Sequence, residues 1–297
     1  MNDSDPSRQP VLIHLHVPKC AGVSVSQALT RRFGTRATGY DRRRKTPAAF
    51  VAMTPAERDA RYDCIFGHIP FGEHRLFGRP PIYISATRDP LERICSFFNF
   101  AHTRPNHPMH ALLKAHLRDL NDLTPAIAAE TVLVRPWRTA FCRVYGGIET
   151  ALDDAAYQKV ERRVAHALKS GRLYAAPLPQ IAALLRAIGI EALPHANRTD
   201  ATGFDDFAPA SPASLSPRTR TLLEDAFCRR DRALLAMISR TLGDTPTARR
   251  SPASRGSTHS PPPTERRRLP ERPCEPRCPS RRRRRAPRLR AAVAAPG

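Results

Sequence analysis

The residues best suited to anion chemistry lie between Val11 and Leu29, in the segment VLIHLHVPKCAGVSVSQAL. An apolar run ends in Pro-Lys-Cys-Ala-Gly, and serines follow at the start of a predicted helix. A tight turn from a parallel strand into a helix directs backbone N–H groups and the helix dipole toward one point, which favours anions. Lys19 adds a mobile positive charge, and Gly22 allows close approach of the backbone. The segment predicts a phosphate-binding loop that lacks the Gly-Lys-Ser/Thr ending of the common nucleotide-binding version.

A second anion site is predicted in the segment PIYISATRDPLERICSFFNF, which begins at Pro81. A predicted strand, Pro81–Thr87, places Arg88 at its end, and Ser96 follows about two turns into the next predicted helix. An arginine fork and a nearby hydroxyl can bind one phosphate together. Two anion sites at neighbouring strand ends suit a ligand that carries phosphates at both ends of a nucleoside.

Histidine is the usual proton acceptor at neutral pH, and His68 is the best placed of the eleven histidines. It follows a predicted strand, Tyr62–Phe66, at the sheet edge where ligands of open α/β sheets bind. His68 is therefore the candidate general base, and His74 is a back-up base or a substrate contact. His14 and His16 alternate with apolar residues in the first strand, and we expect them to satisfy hydrogen bonds on one sheet face.

The segments HVPKCAGVSV and RDPLERICSFFNF resemble the two signature segments of the carbohydrate sulfotransferases (sulfotransferase family 2), in particular the uronosyl or heparan sulfate 2-O-sulfotransferase type. The shared features are the residues PIY in the strand before Arg88, the Asp-Pro after it and its spacing to Ser96. The resemblance implies that the donor is 3′-phosphoadenylyl sulfate (PAPS), with its 3′-phosphate on Arg88 and Ser96. It implies that the 5′-phosphosulfate binds the first loop, at Lys19, Cys20, Ala21, Gly22, Val23 and Ser24.

In that family a Gly-His pair after a strand supplies the base, which implies this role for His68. The family commonly has another histidine two positions earlier, where this chain has Phe66. The expected reaction is an in-line displacement: His68 takes the acceptor proton while Lys19 and the loop N–H groups stabilise the departing phosphate. No metal is needed in this scheme.

The acceptor is expected to be a saccharide or another molecule with a free hydroxyl. Basic residues that suit an anionic saccharide are Arg135, Arg138, Arg143 and the segment 41–45 (DRRRK). Weaker likeness to the family continues in PWRTAFCRVYGG, LPHANRTD and FCRRDRALLAMI, so that the resemblance covers roughly residues 11 to 242.

Strands alternate with helices over the first hundred residues, which predicts a parallel α/β sheet. The anion loop and the resemblance together favour a P-loop-like three-layer fold with a central parallel sheet flanked by helices. The predicted domain covers residues 11–243 and follows a flexible N-terminus, 1–10. Its predicted elements are strands at Val11–Val17, Tyr62–Phe66 and Pro81–Thr87, a short strand at RLYAA, and helices at Ser24–Phe33, Pro90–His102, within Met109–Gly189 and at Pro217–Leu242.

The remaining residues, 244–297, carry fifteen arginines against four acids, and half of the net charge of +22. Eleven prolines and few large apolar side chains mean that this tail cannot bury enough surface to fold, and we expect it to be disordered. A tether for nucleic acid or another polyanion is one interpretation of the tail, and an extension without a role is the other. Cys274 and Cys278 within it form a CxxxC that lacks the second ligand pair of a zinc site.

Seven irregularly spaced cysteines argue against a disulfide framework. No run approaches the roughly 18 apolar residues of a membrane span, and the first residues lack an apolar signal core. We therefore expect a cytoplasmic protein. Two other functions stay open: a nucleic-acid- or polyanion-binding protein that acts through the tail, and a sulfotransferase-like protein that binds the nucleotide without turnover.

Overall fold

Five parallel strands form one sheet in the order β2-β3-β1-β4-β5, so the first strand of the chain lies at its centre. The structure is a computed structural model that describes residues 9–40, 48–147, 153–190 and 209–243. The strands are β1 (Val11–Leu15), β2 (Ala37–Gly39), β3 (Cys64–Gly67), β4 (Pro81–Thr87) and β5 (Leu173–Pro177).

Helices flank this sheet, and short 3₁₀ turns connect several of them. The helices are α1 (Gly22–Phe33), α2 (Ala48–Ala52), α3 (Pro55–Arg61), α4 (Pro90–His102), α5 (His110–His116), α6 (Pro125–Ala129), α7 (Thr131–Val134), α8 (Ala140–Gly146), α9 (Asp154–Lys169), α10 (Ile181–Ala187), α11 (Pro217–Leu223) and α12 (Arg229–Gly243). A π-helical turn, Glu224–Cys228, joins the last two helices, so the predicted continuous helix from Pro217 is interrupted. The prediction of an α/β fold with a parallel sheet flanked by helices is confirmed.

The chain divides into two units, Met1–Thr247 and Ala248–Gly297, and every described residue lies in the first. The predictions for the arginine-rich tail, for the first eight residues, for the segment 41–45 and for LPHANRTD lie outside the described residues. The described residues contain no helix that is long and apolar enough to cross a bilayer.

The strand register brings the chemically interesting residues to one edge of the sheet. Leu15 at the end of β1 is paired with Gly67 at the end of β3, so His16 and His68 both leave the sheet at the same level. On the other side of β1, Ser85 of β4 donates its hydroxyl to the Leu15 carbonyl at 2.9 Å. The carboxyl ends of β1, β3 and β4 therefore lie at one edge of the sheet. The loop from β1 to α1 (residues 16–21), which we call the anion loop, starts at this edge, and His68 and Arg88 directly follow β3 and β4.

Two apolar clusters hold this arrangement. The first surrounds the sheet and includes four of the five residues of β1, all but His14, because both faces of this central strand are covered. The second lies behind α4, which buries Leu91, Ile94 and Phe98 against Trp137. The opposite face of α4 contacts the anion loop, through Phe100 and Lys19.

Candidate functional site

The loop between β1 and α1 turns sharply at two residues with left-handed backbone. Lys19 has φ 69° and Ala21 has φ 55°, and Ala21 occupies the N-cap position without a side-chain cap. The first hydrogen bond into the helix is donated by the Val25 amide to the Ala21 carbonyl at 3.0 Å. The amides of Gly22 and Val23 therefore belong to the first turn, where the helix itself supplies no acceptor for an N–H group. Such a turn can hold an anion on backbone donors.

The prediction that serines mark the helix start is wrong by two residues, because the helix begins at Gly22 and its cap is Ala21. Ser24 is 8% exposed and is the third residue of the helix. Cys20 is buried, and its thiol lies 3.9 Å from the Pro18 carbonyl. Burial raises the pKa of Cys20 to about 12, so Cys20 contributes its backbone rather than a thiolate.

The Lys19 side chain crosses to α4, where its ammonium lies 3.9 Å from the centre of the Phe100 ring. The Arg104 guanidinium lies 4.5 Å from the same ring. Burial, followed by the charges of Arg104 and Arg88, lowers the pKa of Lys19 to about 8. Lys19 and Arg104 thus share one aromatic ring, and an anionic ligand would relieve the repulsion that Arg104 and Arg88 exert on the Lys19 ammonium.

The two predicted anion segments meet along one face of α4. Glu92, Ser96 and Phe100 follow at intervals of four residues, which places them in a row on this helix. Arg88 precedes the row and donates from Nε to Glu92 at 3.2 Å. Ser96 is half-buried in the middle of the row, between the arginine end and the lysine end. We name this surface the basic face, defined by Lys19, Arg88, Ser96, Phe100 and Arg104.

Contacts behind the basic face fix its position. The Asp89 carboxylate accepts from the Leu91 and Glu92 amides and so caps α4, and it also pairs with Arg232 of α12 at 2.5 Å. Fully buried Arg93 donates to the carbonyls of Pro136 and Trp137 at 3.2 and 2.9 Å. The helix that carries Ser96 and Phe100 is therefore anchored at its first turn and along its buried side.

On the other side of the loop, His68 is exposed and its ring is stacked on that of His16. The ring centroids are 4.4 Å apart and the planes differ by 19°. Nδ1 of His68 lies 3.3 Å from the backbone carbonyl of His16. Burial, and then the charges of His68, His14 and Lys19, lower the pKa of His16 well below its usual value. His16 consequently lies between the candidate base and the lysine of the anion loop.

The prediction that His14 satisfies hydrogen bonds is wrong. His14 is 1% exposed, and neither ring nitrogen has a partner among the described residues. Its ring lies 5.8 Å from that of His16 instead. Burial, followed by the charge of His68, lowers its pKa to about 3, which keeps the ring neutral. The alternating pattern could not reveal this, because both faces of the central strand are covered.

His74 and Arg138 lie apart from the stacked histidines. Tyr83 accepts at its hydroxyl from the Gly72 and His74 amides, and this hydroxyl lies 2.7 Å from Nδ1 of His74. Arg138 donates to the Ala128 carbonyl at 3.0 Å, against the second apolar cluster. These contacts give both side chains a role in holding neighbouring segments.

A cleft of about 660 Å³ opens beside the stacked histidines, between α1 and the ends of β2 and β3. The wall formed by α1 carries one amide side chain, two hydroxyl side chains and one cationic side chain. The wall formed by the sheet carries the rings of a tyrosine and a phenylalanine in addition to the histidines. The lining residues used below are His16, Gln27, Arg31, Tyr40, Phe66 and His68. We name it the histidine cleft. Phe66, which stands where the resembling family commonly has a second histidine, is one of its walls.

Sequence reasoning missed three residues of this site. Phe100 and Arg104 follow Ser96 in the sequence and lie outside the Arg88-to-Ser96 spacing on which the prediction was based. The interval of four residues from Ser96 to Phe100 could still have indicated that both lie on one face of the helix. His16 was assigned to the strand, and only the register of β1 with β3 brings it to His68.

No protein-family model matches the chain, and a search of curated proteins finds none that matches it. The resemblance of two short segments to sulfotransferases therefore stays a prediction. What supports a function is the placement of the residues described above.

Proposed function

We propose that this protein is a P-loop-like sulfotransferase that moves the sulfonate of PAPS to a hydroxyl of an acceptor. The observation that carries the proposal is a row of cations along α4, beside the first turn of α1, with Arg88 at its start and Lys19 and Arg104 on the Phe100 ring near its end. Glu92 is the acid that pairs with this group, so one negative charge stands against three positive ones. A donor with anions at both ends fits this surplus.

The two ends of the basic face differ in the way that such a donor requires. Backbone amides and Lys19 at the α1 end suit the 5′-phosphosulfate, because several donors can surround its oxygens. Arg88 and Ser96 at the other end suit the 3′-phosphate, through a guanidinium fork and a hydroxyl. The Phe100 ring lies at the lysine end of the row, where it packs against the Lys19 ammonium.

In the proposed step, the acceptor oxygen forms a bond to sulfur while the bond from sulfur to the phosphate oxygen breaks. The acceptor proton passes to Nε2 of His68, and the electron pair of the broken bond stays on adenosine 3′,5′-bisphosphate. Lys19 and the amides of the first turn stabilise the charge that develops on this leaving group. This chain's own groups supply the base and the electrostatic stabilisation.

The histidine cleft is where we place the acceptor, because His68 is one of its lining residues. Tyr40 and Phe66 give apolar and aromatic surface, and Gln27 and Arg31 give hydrogen-bond donors, which suits the mixed surface of a saccharide.

Transfer of radiolabelled sulfonate from PAPS to a panel of glycans and small alcohols tests the proposal. We expect label in at least one acceptor with the full chain and its loss with Lys19→Ala. Lys159→Ala is the matched control, since Lys159 is an exposed lysine of α9. Adenosine 3′,5′-bisphosphate binding without transfer to any acceptor would favour a nucleotide-binding protein without turnover, and absence of both would overturn the proposal.

A further inference from the structure

We propose that His16 is a positioning residue that selects the tautomer and fixes the ring plane of His68. This inference rests on the proposed function for its catalytic meaning, but its structural content concerns this chain alone. The family resemblance assigns no role to His16, and the strand pattern predicted a structural one.

The backbone of His16 determines which nitrogen of His68 is basic. Nδ1 of His68 lies 3.3 Å from the His16 carbonyl oxygen, and a carbonyl oxygen can only accept. The neutral ring that makes this hydrogen bond therefore carries its proton on Nδ1, and its lone pair is on Nε2. Tautomer selection by a partner at the other ring nitrogen is the role that an orienting group plays for a histidine base.

The ring of His16 is held between His68 and the anion loop. A Cβ atom built on Gly22 would lie 1.8 Å from Cδ2 and Nε2 of His16, so the imidazole occupies the space that a side chain at position 22 would need. The same ring also stacks on His68, with the ring centroids 4.4 Å apart. His16 is thus a spacer of fixed thickness between the first residue of α1 and the proposed base.

The spacer must be neutral to stack beside a base that becomes cationic. His16 stays neutral first because of its burial, and then because a protonated His68, a protonated His14 and the Lys19 ammonium would each repel a charge on it, as the lowered pKa indicates. When His68 takes a proton, the resulting imidazolium then faces an uncharged aromatic ring, an arrangement that favours the cation. A protonated His16 would repel it.

The experiment is ¹⁵N NMR of the histidine side chains in the full chain without ligand, because the two tautomers give different ring-nitrogen shifts. The spectrum of His68→Gln identifies the signals of His68 by difference. The His16 carbonyl is kept in every variant, so the measurement shows whether the stacked ring of His16 holds the His68 ring against this carbonyl. We expect the Nδ1–H tautomer in the wild type and in His16→Phe, which keeps a ring, and a mixture of tautomers in His16→Leu, where the His68 ring can turn away from the carbonyl. A wild-type His68 that is mainly the Nε2–H tautomer, or identical His68 signals in His16→Leu, would overturn the inference.

Kinetics give the second measurement. We expect His16→Leu to lower kcat about tenfold to a hundredfold while the KM for PAPS stays unchanged, and His16→Phe to restore most of kcat, as for a misplaced catalytic group. Equal kcat in the three proteins would contradict the inference. If His16→Leu does not fold, His16→Gln is the ring-less variant. If the wild type shows the expected tautomers but transfers no sulfonate, the proposed function is wrong, and the positioning of the His68 ring by His16 still holds.

Discussion

The basic face and the histidine cleft both adjoin the loop from β1 to α1 and differ sharply in charge. The basic face gathers Lys19, Arg88 and Arg104 with one acid, whereas Arg31 is the one formally cationic side chain that lines the cleft within the described residues. The basic face is thus suited to an anion, and the cleft to an uncharged or weakly charged group. A site that transfers a group from an anionic donor to an alcohol needs this division.

The difference also separates two kinds of substitution. Changes on the basic face should alter nucleotide affinity, because the side chains there meet the proposed donor before any chemistry. Changes at the histidines should alter the rate of transfer and leave nucleotide affinity intact.

Replacement of the proposed base should give the largest effect. We expect His68→Ala to lower the rate of sulfonate transfer about 10²- to 10⁴-fold, the usual contribution of a general base. The affinity for adenosine 3′,5′-bisphosphate, measured by calorimetry, should not change. His116→Ala, at an exposed histidine of α5, is the control. A parallel loss of nucleotide affinity would show that the two surfaces are not separate.

Arg88→Ala should have the opposite profile. Hydrogen bonds to charged groups contribute about 1.5–3 kcal/mol, so we expect affinity for adenosine 3′,5′-bisphosphate to fall about tenfold to 150-fold. Arg162→Ala removes an exposed arginine of α9 and should bind as the wild type does. Unchanged affinity in Arg88→Ala would mean that the 3′-phosphate does not bind at this end of the basic face.

Nucleotide affinity should depend on pH through Lys19. Its pKa is lowered to about 8, so Lys19 is mainly charged at pH 7 and mainly neutral at pH 9, while phosphate is already fully ionised. A bound anion raises this pKa, and by linkage the affinity must fall as pH rises above about 8. Calorimetry from pH 6.5 to 9.5 should show this fall in the wild type and a flatter profile in Lys19→Met. Equal profiles would exclude Lys19 as the titrating group.

The smallest expected effect is a gain. Glu92 accepts from Arg88 at 3.2 Å, and an exposed ion pair of this kind contributes at most about 1 kcal/mol. Glu92→Gln should free the arginine and tighten binding of adenosine 3′,5′-bisphosphate up to about fivefold, more at low salt than at high salt. A weaker complex would mean that Glu92 itself contacts the ligand.

Much of the fold could be predicted because its boundaries carry local signals. The bounds of β4 and α4 are those predicted, since Pro81 and Pro90 stand at their first residues and the apolar periodicity between them is clear. β2 was missed because Ala-Thr-Gly is too short and too polar to show a pattern. The π-helical turn before Arg229 was also missed, because its sequence contains no glycine or proline that would indicate an interruption of the helix.

The candidate site was predictable only as separate segments. Lys19 and Arg88 could be selected as anion ligands because each follows an apolar strand. The approach of Lys19 to Arg104, and the stacking of His16 on His68, depend on strand order and on the face of α4 that the second apolar cluster leaves uncovered. Tertiary packing of this kind has no signature in the spacing of residues along the chain.

The most direct test of the central claim, that one nucleotide spans the basic face with an anion at each end, is a cycle of ligands and variants by calorimetry. Adenosine 3′,5′-bisphosphate, 3′-AMP and 5′-AMP are titrated into wild type, Arg88→Ala and Lys19→Ala. We predict that Arg88→Ala weakens only the two ligands with a 3′-phosphate, and that Lys19→Ala weakens only the two with a 5′-phosphate. Equal weakening of all three ligands by either variant, or binding of the bisphosphate no tighter than that of the monophosphates, would contradict the account.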